Sequence, residues 1–501
     1  MFLYYTAKTV TFQCCTFRQG YDTMVQKRIP SKERNNMENN QLHKRYGLFT
    51  AICMVVGIVI GSGVFFKAQD ILNYTGGNML IGILAWVIGG IVMIICAFNF
   101  ANFATKFVKV NGVVDYAEAI IGKKYAYMIG WFLSSIYFPA MTAVLAWVSA
   151  RYTLLLFNPG ADITSGLCMA LGAFYMCLLY AINMLSPKLA GKLEVSATVI
   201  KLIPLSIIIV LGTICGLING NTTGAFQVST QAASGDFSTV FAGIAAASFA
   251  YEGWIVATSI NAELKDPKKD LPRALVIGTV IIMAIYILYF VGLTGGTSVE
   301  VLMQEGATTA IKNLLGNVGG TIVNAFIVIS CLGTLNGLMI ACPRSCYSLA
   351  VRGCGPKPKT FAAIDPETNM PGNAGTLALL FCGLWYFYFY GANLTAPIFG
   401  MFSFDSSELP IITIYALYIP MFIVFIKKEG KKNIFKNTVM PVLAILASMF
   451  MVFVAVYAHG IRPYQAAAAN GEFAFPVLFY LIVFTVFMAI GAMFYKKKAD
   501  E

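Results

Sequence analysis

Charge is what this 501-residue chain has least of. Asp, Glu, Lys and Arg make up 12% of it and hydrophobic residues 58%, with a mean hydropathy of +0.73, whereas roughly a quarter of a soluble globular domain is charged. That scarcity excludes a soluble fold and leaves a polytopic all-α integral membrane protein. At roughly 20 residues per span the length allows about a dozen helices and no large soluble domain. Histidine is nearly missing: only His43, in the N-terminal tail, and His459, beside an expected outer loop, occur. The membrane interior therefore lacks the commonest general base. No GxxxxGK[ST] phosphate-binding loop is present, and no domain could hold one, so ATP-driven chemistry is not expected. Twelve cysteines are present, but most (Cys53, Cys96, Cys168, Cys177, Cys215, Cys331, Cys342, Cys382) lie in apolar helices without metal-ligand spacing. They read as small packing residues, and neither a metal nor another cofactor is expected.

What charge there is sits unevenly. Roughly thirty of the 35 lysines and arginines fall in the two tails and in alternate loops, and about four, including Arg151, Lys312 and Arg462, in the opposite loops. The net charge of +12 thus marks cytoplasmic loops, not a nucleic-acid partner, and places both termini inside with an even number of spans. Hydropathy sets the spans near 47–70, 78–104, 125–157, 165–184, 193–217, 238–262, 273–294, 317–351, 373–391, 405–426, 437–458 and 474–495. Residues 1–46 read as a disordered cytoplasmic tail and 496–501 as a basic one. Met37 opens MENNQLHKRYGLF, which resembles a natural short leader, so residues 1–36 are expected to come from an upstream start.

Two spans are interrupted. The first carries Gly61-Ser62-Gly63 at membrane depth, and the sixth carries Ser248-Phe249-Ala250-Tyr251-Glu252-Gly253-Trp254. A lone GSG is either a small-residue packing seam or an unwound joint whose freed amides face an anion. A carboxylate at midplane is costly and marks a pathway. Each broken span opens a unit of five, and paired breaks in corresponding halves point to an inverted-repeat transporter and its binding site. The break is therefore the preferred reading.

The run Gly57-Ile58-Val59-Ile60-Gly61-Ser62-Gly63-Val64-Phe65, followed by Phe249-Ala250-Tyr251-Glu252-Gly253-Trp254, Asn261-Ala262-Glu263-Leu264-Lys265-Asp266-Pro267 and Leu271-Pro272-Arg273, resembles the amino acid, polyamine and organocation transporter superfamily. Within it the chain looks most like bacterial relatives of the L-type amino acid transporters, over roughly residues 45–495. The resemblance implies 12 transmembrane helices in a leucine-transporter-like 5+5 inverted repeat (about 47–217 and 238–426, within a core of 47–426), two added helices (437–495), and alternating access by a bundle of the first, second, sixth and seventh helices. It implies that amides around Ser62 and Gly63 take a substrate α-carboxylate. Carbonyls near Val59, Ile60 and Phe249, Ala250, Tyr251 and Glu252 would take the α-ammonium, with Gly61 and Gly253 in the joints. Phe249 matches the family's aromatic gate. Lys201, in SATVIKLIPL, is either a snorkelling lysine or an ammonium standing in for sodium beneath the first break, and coupling would then rest on Lys201 and Glu252. Glu252 departs from the glycine frequent in L-type relatives; favouring cationic substrates, coupling protons and pairing internally all remain open. No cysteine occurs in 158–165, so no disulfide-linked heavy chain is expected.

The expected function is sodium-independent secondary transport of L-amino acids, by exchange or proton symport, in a cell membrane, bacterial and cytoplasmic by resemblance. The alternative is a cationic amino acid, polyamine or other amine transporter of the same fold. A membrane-embedded enzyme would need a nucleophile and base at depth, and Lys201 has no paired nucleophile; a channel would line a continuous pore with polar rings. Weaker features remain. Asp115 and Glu118 are expected to pair with Lys123 and Lys124, and Glu263 and Asp266 to form an inner latch with Lys268, Lys269 and Arg273. Asn336 either faces the cavity or bonds between helices; Tyr137 and Pro139 either line the pocket or bend the third span. The run Trp385 to Tyr390 reads as lipid-facing or interfacial.

Overall fold

The computed structural model describes residues 43–495 except 62, 108–111, 159, 232–236, 395–397, 407 and 472. Most of the expected N-terminal tail, all of the C-terminal tail and Ser62 lie outside the described residues. Within them, eleven helices are long and apolar enough to cross a membrane: Met79–Lys106, Lys123–Phe157, Gly166–Leu185, Pro187–Ile218, Val240–Glu263, Pro267–Gly295, Ala307–Ala350, Gly372–Leu394, Leu409–Lys432, Phe435–Ala469 and Pro476–Met493. They correspond in order to the second through twelfth expected spans. The first is a pair of twelve-residue helices, Leu48–Val59 and Gly63–Tyr74.

Local chemistry explains where these helices start and bend. Asn78 and Ser165 accept from the amides of Ile81 and Cys168 and so cap the second and fourth spans, while Pro187, Pro267 and Pro476 open helices where a missing N–H costs nothing. The eighth helix, Ala307–Ala350, turns at Gly316, whose φ is +73°. Its apolar length therefore begins where hydropathy placed it, and 307–315 is a lead-in. In the third span a π-helical turn, Leu133–Tyr137, precedes Pro139. Proline offers no amide to Ser135 O, and the Trp385 indole donates to that carbonyl instead, at 2.7 Å.

Small residues bring helices together. A Cβ on Gly295 would lie 1.9 Å from Gly212 O and one on Gly212 2.1 Å from Gly292 O, so the fifth and seventh spans touch backbone to backbone. The twelfth span is held to the third by Tyr127 Oη donating to Gly491 O and Trp131 Nε1 to Phe487 O.

Several expectations are corrected. Asp115 and Glu118 both pair with Arg352 of the eighth span rather than with Lys123 and Lys124, because the folded chain brings a bidentate guanidinium nearer than the neighbouring flexible lysines. Asp266 does pair with Lys269, at 3.1 Å, but Glu263 turns inward to buried Arg344 and to Arg45. The aromatic run is not simply lipid-facing: Trp385, Tyr386 and Phe389 are buried while Phe387 is exposed, as helical periodicity requires of a two-sided helix. Of the two readings of Asn336, bonding between helices is the one observed. Asn336 donates to Glu194 Oε2 and Ala190 O and accepts from Asn183 Nδ2, all at 3.0–3.1 Å, joining the fourth, fifth and eighth spans.

Candidate functional site

The first half-helix ends because Ile60 leaves the helical region, at φ −74° and ψ 82°; its amide still reaches Val56 O, and Gly61 N closes a tight turn on Val59 O at 2.8 Å. The second half-helix starts at Gly63 beside Ala250: a Cβ on Gly63 would stand 3.2 Å from Ala250 Cα. There the sixth span breaks as well. Its α-helix Phe237–Ala250 gives way to a turn at 251–253 and then to the 3-10 helix Trp254–Glu263. Gly253 makes the turn with φ +105°, a conformation that a side chain would strain. Two joints thus face each other, one exposing helix-start amides and both exposing helix-end carbonyls.

Between them lies a small cavity lined by Val59, Gly61, Gly63, Phe249, Ala250, Glu252 and Gly253, with Tyr137, Met141 and Thr334 on the other walls. Ile60 and Tyr251 do not line it. Tyr251 points away, donating to Trp86 O at 3.0 Å and stacking on Tyr286 at 5.0 Å. Most of the carbonyls expected for an ammonium already have donors. The Tyr286 hydroxyl lies 2.9 Å from both Val59 O and Ala250 O, so one proton is shared between the two helix ends. Val59 O, which also accepts from Gly61 N, has both lone pairs engaged, whereas Ala250 O keeps a second lone pair for a ligand. Glu252 is buried and accepts a hydrogen bond from the Tyr137 hydroxyl.

Beneath the first joint, Lys201 is completely buried. Its ammonium donates to Gly57 O at 2.6 Å, Ile60 O at 2.8 Å, Ser330 O at 3.2 Å and Thr334 Oγ1 at 3.3 Å. It is not a snorkelling residue. A single positive charge ties the freed end of the first half-helix to the fifth and eighth spans, and burial of that charge is tolerated because its donors find carbonyls.

The family model described as "Amino acid permease" matches residues 46–488. This chain belongs to the amino acid permease family. Similar proteins include the serine/threonine exchanger SteT of Bacillus subtilis (strain 168), 30% identical over 83% of this chain and 91% of SteT. The human b(0,+)-type amino acid transporter 1 is 27% identical over 85% of each chain. The human cystine/glutamate transporter is 26% identical over 72% of this chain and 73% of its own. Membership places this permease among multi-pass transporters and not among enzymes.

Contacts tie the outer ends of both broken helices of the permease to their neighbours. On the face expected to be inner, Arg45 N and Tyr46 N donate to Glu263 O and Lys265 N to Tyr46 O, so the lead-in to the first helix lies strand-like along the end of the sixth span, above the Glu263–Arg344 pair. Burial and the Glu263 carboxylate push the Tyr46 phenol up to about 12, keeping it a neutral donor to Pro187 O. On the opposite face Lys67 reaches Glu408 at 3.1 Å and Asp70 at 3.3 Å, and His459 reaches the other oxygen of Glu408 at 2.6 Å. The Lys67 ammonium also lies 5.1 Å from the centre of the Phe249 ring. Glu408→Gln is expected to remove the anion shared by Lys67 and His459 and to raise, several-fold, modification of a cysteine introduced at Met141 by a membrane-impermeant thiol reagent applied from that face. Unchanged labelling would show that this cluster does not hold the cavity shut.

Tyr286, Glu194, Arg344, Glu408 and Lys67 do not stand out in the sequence. Only Glu194 carried a usable signal: it stands seven residues before Lys201, two helical turns along the same face.

Proposed function

We propose that this chain is a secondary transporter exchanging L-amino acids by alternating access at the cavity between the two broken helices, without sodium. The observation that carries this reading is that both joints open onto one cavity, with Phe249 and Glu252 in its wall. A zwitterion suits its polarity: amides at the start of Gly63–Tyr74 and the positive end of that dipole for the α-carboxylate, the second lone pair of Ala250 O and the Glu252 carboxyl for the α-ammonium. Phe249 closes over the side chain. Sodium independence is supported by Lys201, whose ammonium occupies the carbonyls that would ligate a cation. Exchange is supported by the relative named as a serine/threonine exchanger. The inverted repeats 47–217 and 238–426, movement of the first, second, sixth and seventh helices, and cytoplasmic termini in a bacterial cytoplasmic membrane belong to the same proposal. So does transport without a disulfide-linked heavy chain, since 158–165 lacks cysteine and Cys168 is buried.

Proton symport is the second reading, favoured by Glu252 in the cavity wall. Simple amines are disfavoured because they would leave the amides near Gly63 without an anion. Liposomes holding the purified protein separate these readings. Uptake of labelled serine or threonine, stimulated by internal unlabelled amino acid and unaffected by sodium, is the expected result; uptake driven only by an inward proton gradient replaces exchange with symport. No uptake of any amino acid overturns the reading. Glu252→Gln keeps the Tyr137 hydrogen bond but removes the charge, and is expected to weaken apparent affinity about tenfold, the worth of one charge-assisted bond. An unchanged affinity would mean that Glu252 does not meet the substrate.

A further inference from the structure

Glu194 is a second buried ionisable group that no step above uses. It lies on the fifth span, is 1% exposed, and has one donor, Asn336 Nδ2 at 3.0 Å on Oε2. Its Oε1 has no hydrogen-bond partner and abuts the first half-helix: a Cβ built on Gly57 would stand 2.7 Å from it. Gly57 therefore separates two opposite charges, presenting its carbonyl to Lys201 Nζ and its Cα to Glu194. A glycine is needed there, because any side chain would also strike Thr198 Oγ1, 2.1 Å from the same Cβ position.

This arrangement changes when the first half-helix moves. In the closed form Lys201 spends two of its bonds on Gly57 O and Ile60 O. If that segment swings away to open the expected inner side, both acceptors leave together, and so does the wedge between Lys201 and Glu194. A buried ammonium stripped of half its acceptors is unstable unless another anion takes their place. Glu194 lies two turns away on the same helix face, roughly 10 Å along the axis, a separation that two extended side chains can close.

We propose that Glu194 receives the Lys201 ammonium when the first half-helix departs, so that its carboxylate form favours opening of the inner side and its protonated form holds that side shut. This rests on the alternating-access reading. The other groups facing Glu194 are Lys201 on its own helix, Cys53 and Tyr46 from the first segment, and the neutral amides of Asn336 and Asn183. Lys201 is the one cation among them. Acidification on the inner side is accordingly expected to slow opening, and Glu194→Gln, which mimics the protonated form while preserving the Asn336 bond, to be slow at every pH.

The test reads opening without requiring transport. Cys53 is buried on the first half-helix, its carbonyl bonded by Thr198, and its modification by a small maleimide is followed by peptide mass spectrometry in wild type, Glu194→Gln and Glu194→Gln/Lys201→Met. The ratio of wild-type to Glu194→Gln rates is read against the Glu194 carboxylate's own repulsion of the Cys53 thiolate, which alone would leave wild type the slower. It is expected to be near one in acid and to rise about fivefold at mildly alkaline pH, equivalent to roughly 1 kcal/mol. The double variant, which has no ammonium to rehouse, is expected to recover the fast rate. A ratio independent of pH, or a double variant as slow as the single one, overturns the proposal. Absence of amino acid uptake by wild type would instead count against the transport reading and leave this measurement standing. Should Glu194→Gln fail to give a monodisperse protein, Glu194→Asp, which shortens the reach to Lys201, is expected to slow labelling at alkaline pH, and wild-type labelling there would equally overturn the role.

Discussion

Lys201→Ala is expected to abolish amino acid exchange, with uptake falling at least about a hundredfold. The ammonium serves Gly57 O, Ile60 O, Ser330 O and Thr334 Oγ1 at once. Removing it leaves at least two buried carbonyls of the broken helix short of a donor, at about 1–3 kcal/mol each, and removes the link between the first, fifth and eighth spans. Ser330 Oγ, 3.3 Å from Ile60 O, and Thr334 Oγ1, 3.1 Å from Gly57 O, replace the charge only in part. Arginine is not expected to rescue transport, because a planar fork cannot present its donors to acceptors spread around one nitrogen, and a Cβ on Gly333 would already be 3.5 Å from Lys201 Nζ. The measurement is counterflow in liposomes at matched protein density. Retention of more than a tenth of wild-type exchange would show that the half-helix holds its geometry without the ammonium.

Arg344→Ala is expected to produce the largest loss of stability. Arg344 is 1% exposed, and its guanidinium bonds Glu263 and Ile340 O. Removing one partner of a buried pair strands the other charge and costs about 3–5 kcal/mol. Arg45, 3.4 Å from the second oxygen of Glu263, offsets part of this. Glu263→Gln added to Arg344→Ala is expected to recover much of the loss, since the uncompensated charge is then gone. Thermal unfolding of the detergent-solubilised single and double variants checks both statements. A double variant no more stable than the single one would mean that packing of the arginine, not its charge, was lost. The same change is expected to loosen the inner closure, because the lead-in residues Arg45 and Tyr46 are anchored on the Glu263 backbone.

Much of this architecture was legible in one dimension. Low charge and long apolar runs place the helices, because hydrocarbon forces each span to satisfy its own backbone, and the Gly316 turn lies one residue before the expected start of the eighth span. The positions of both breaks could be read for the same reason: Gly61, Gly63 and Gly253 with a carboxylate beside them make poor membrane helix. Pair partners were less legible. Sequence proximity suggested Lys123 and Lys124 for Asp115 and Glu118, yet Arg352, more than two hundred residues away, takes both. Nor does hydropathy distinguish the buried Trp385 from the exposed Phe387.

The sequence by itself determined that this chain spans a membrane repeatedly, where its helices run and where two of them are interrupted, because those properties follow from composition and backbone hydrogen bonding along a local stretch. Only the tertiary structure decided which groups the interruptions serve. Lys201 takes the carbonyls of Gly57 and Ile60, Tyr286 is shared by Val59 and Ala250, Tyr137 holds Glu252, and Gly57 stands between Glu194 and Lys201. Those choices depend on how far apart helices from distant parts of the chain come to lie, and hydrogen bonds and ion pairs are decided within an ångström, a distance that no local pattern encodes.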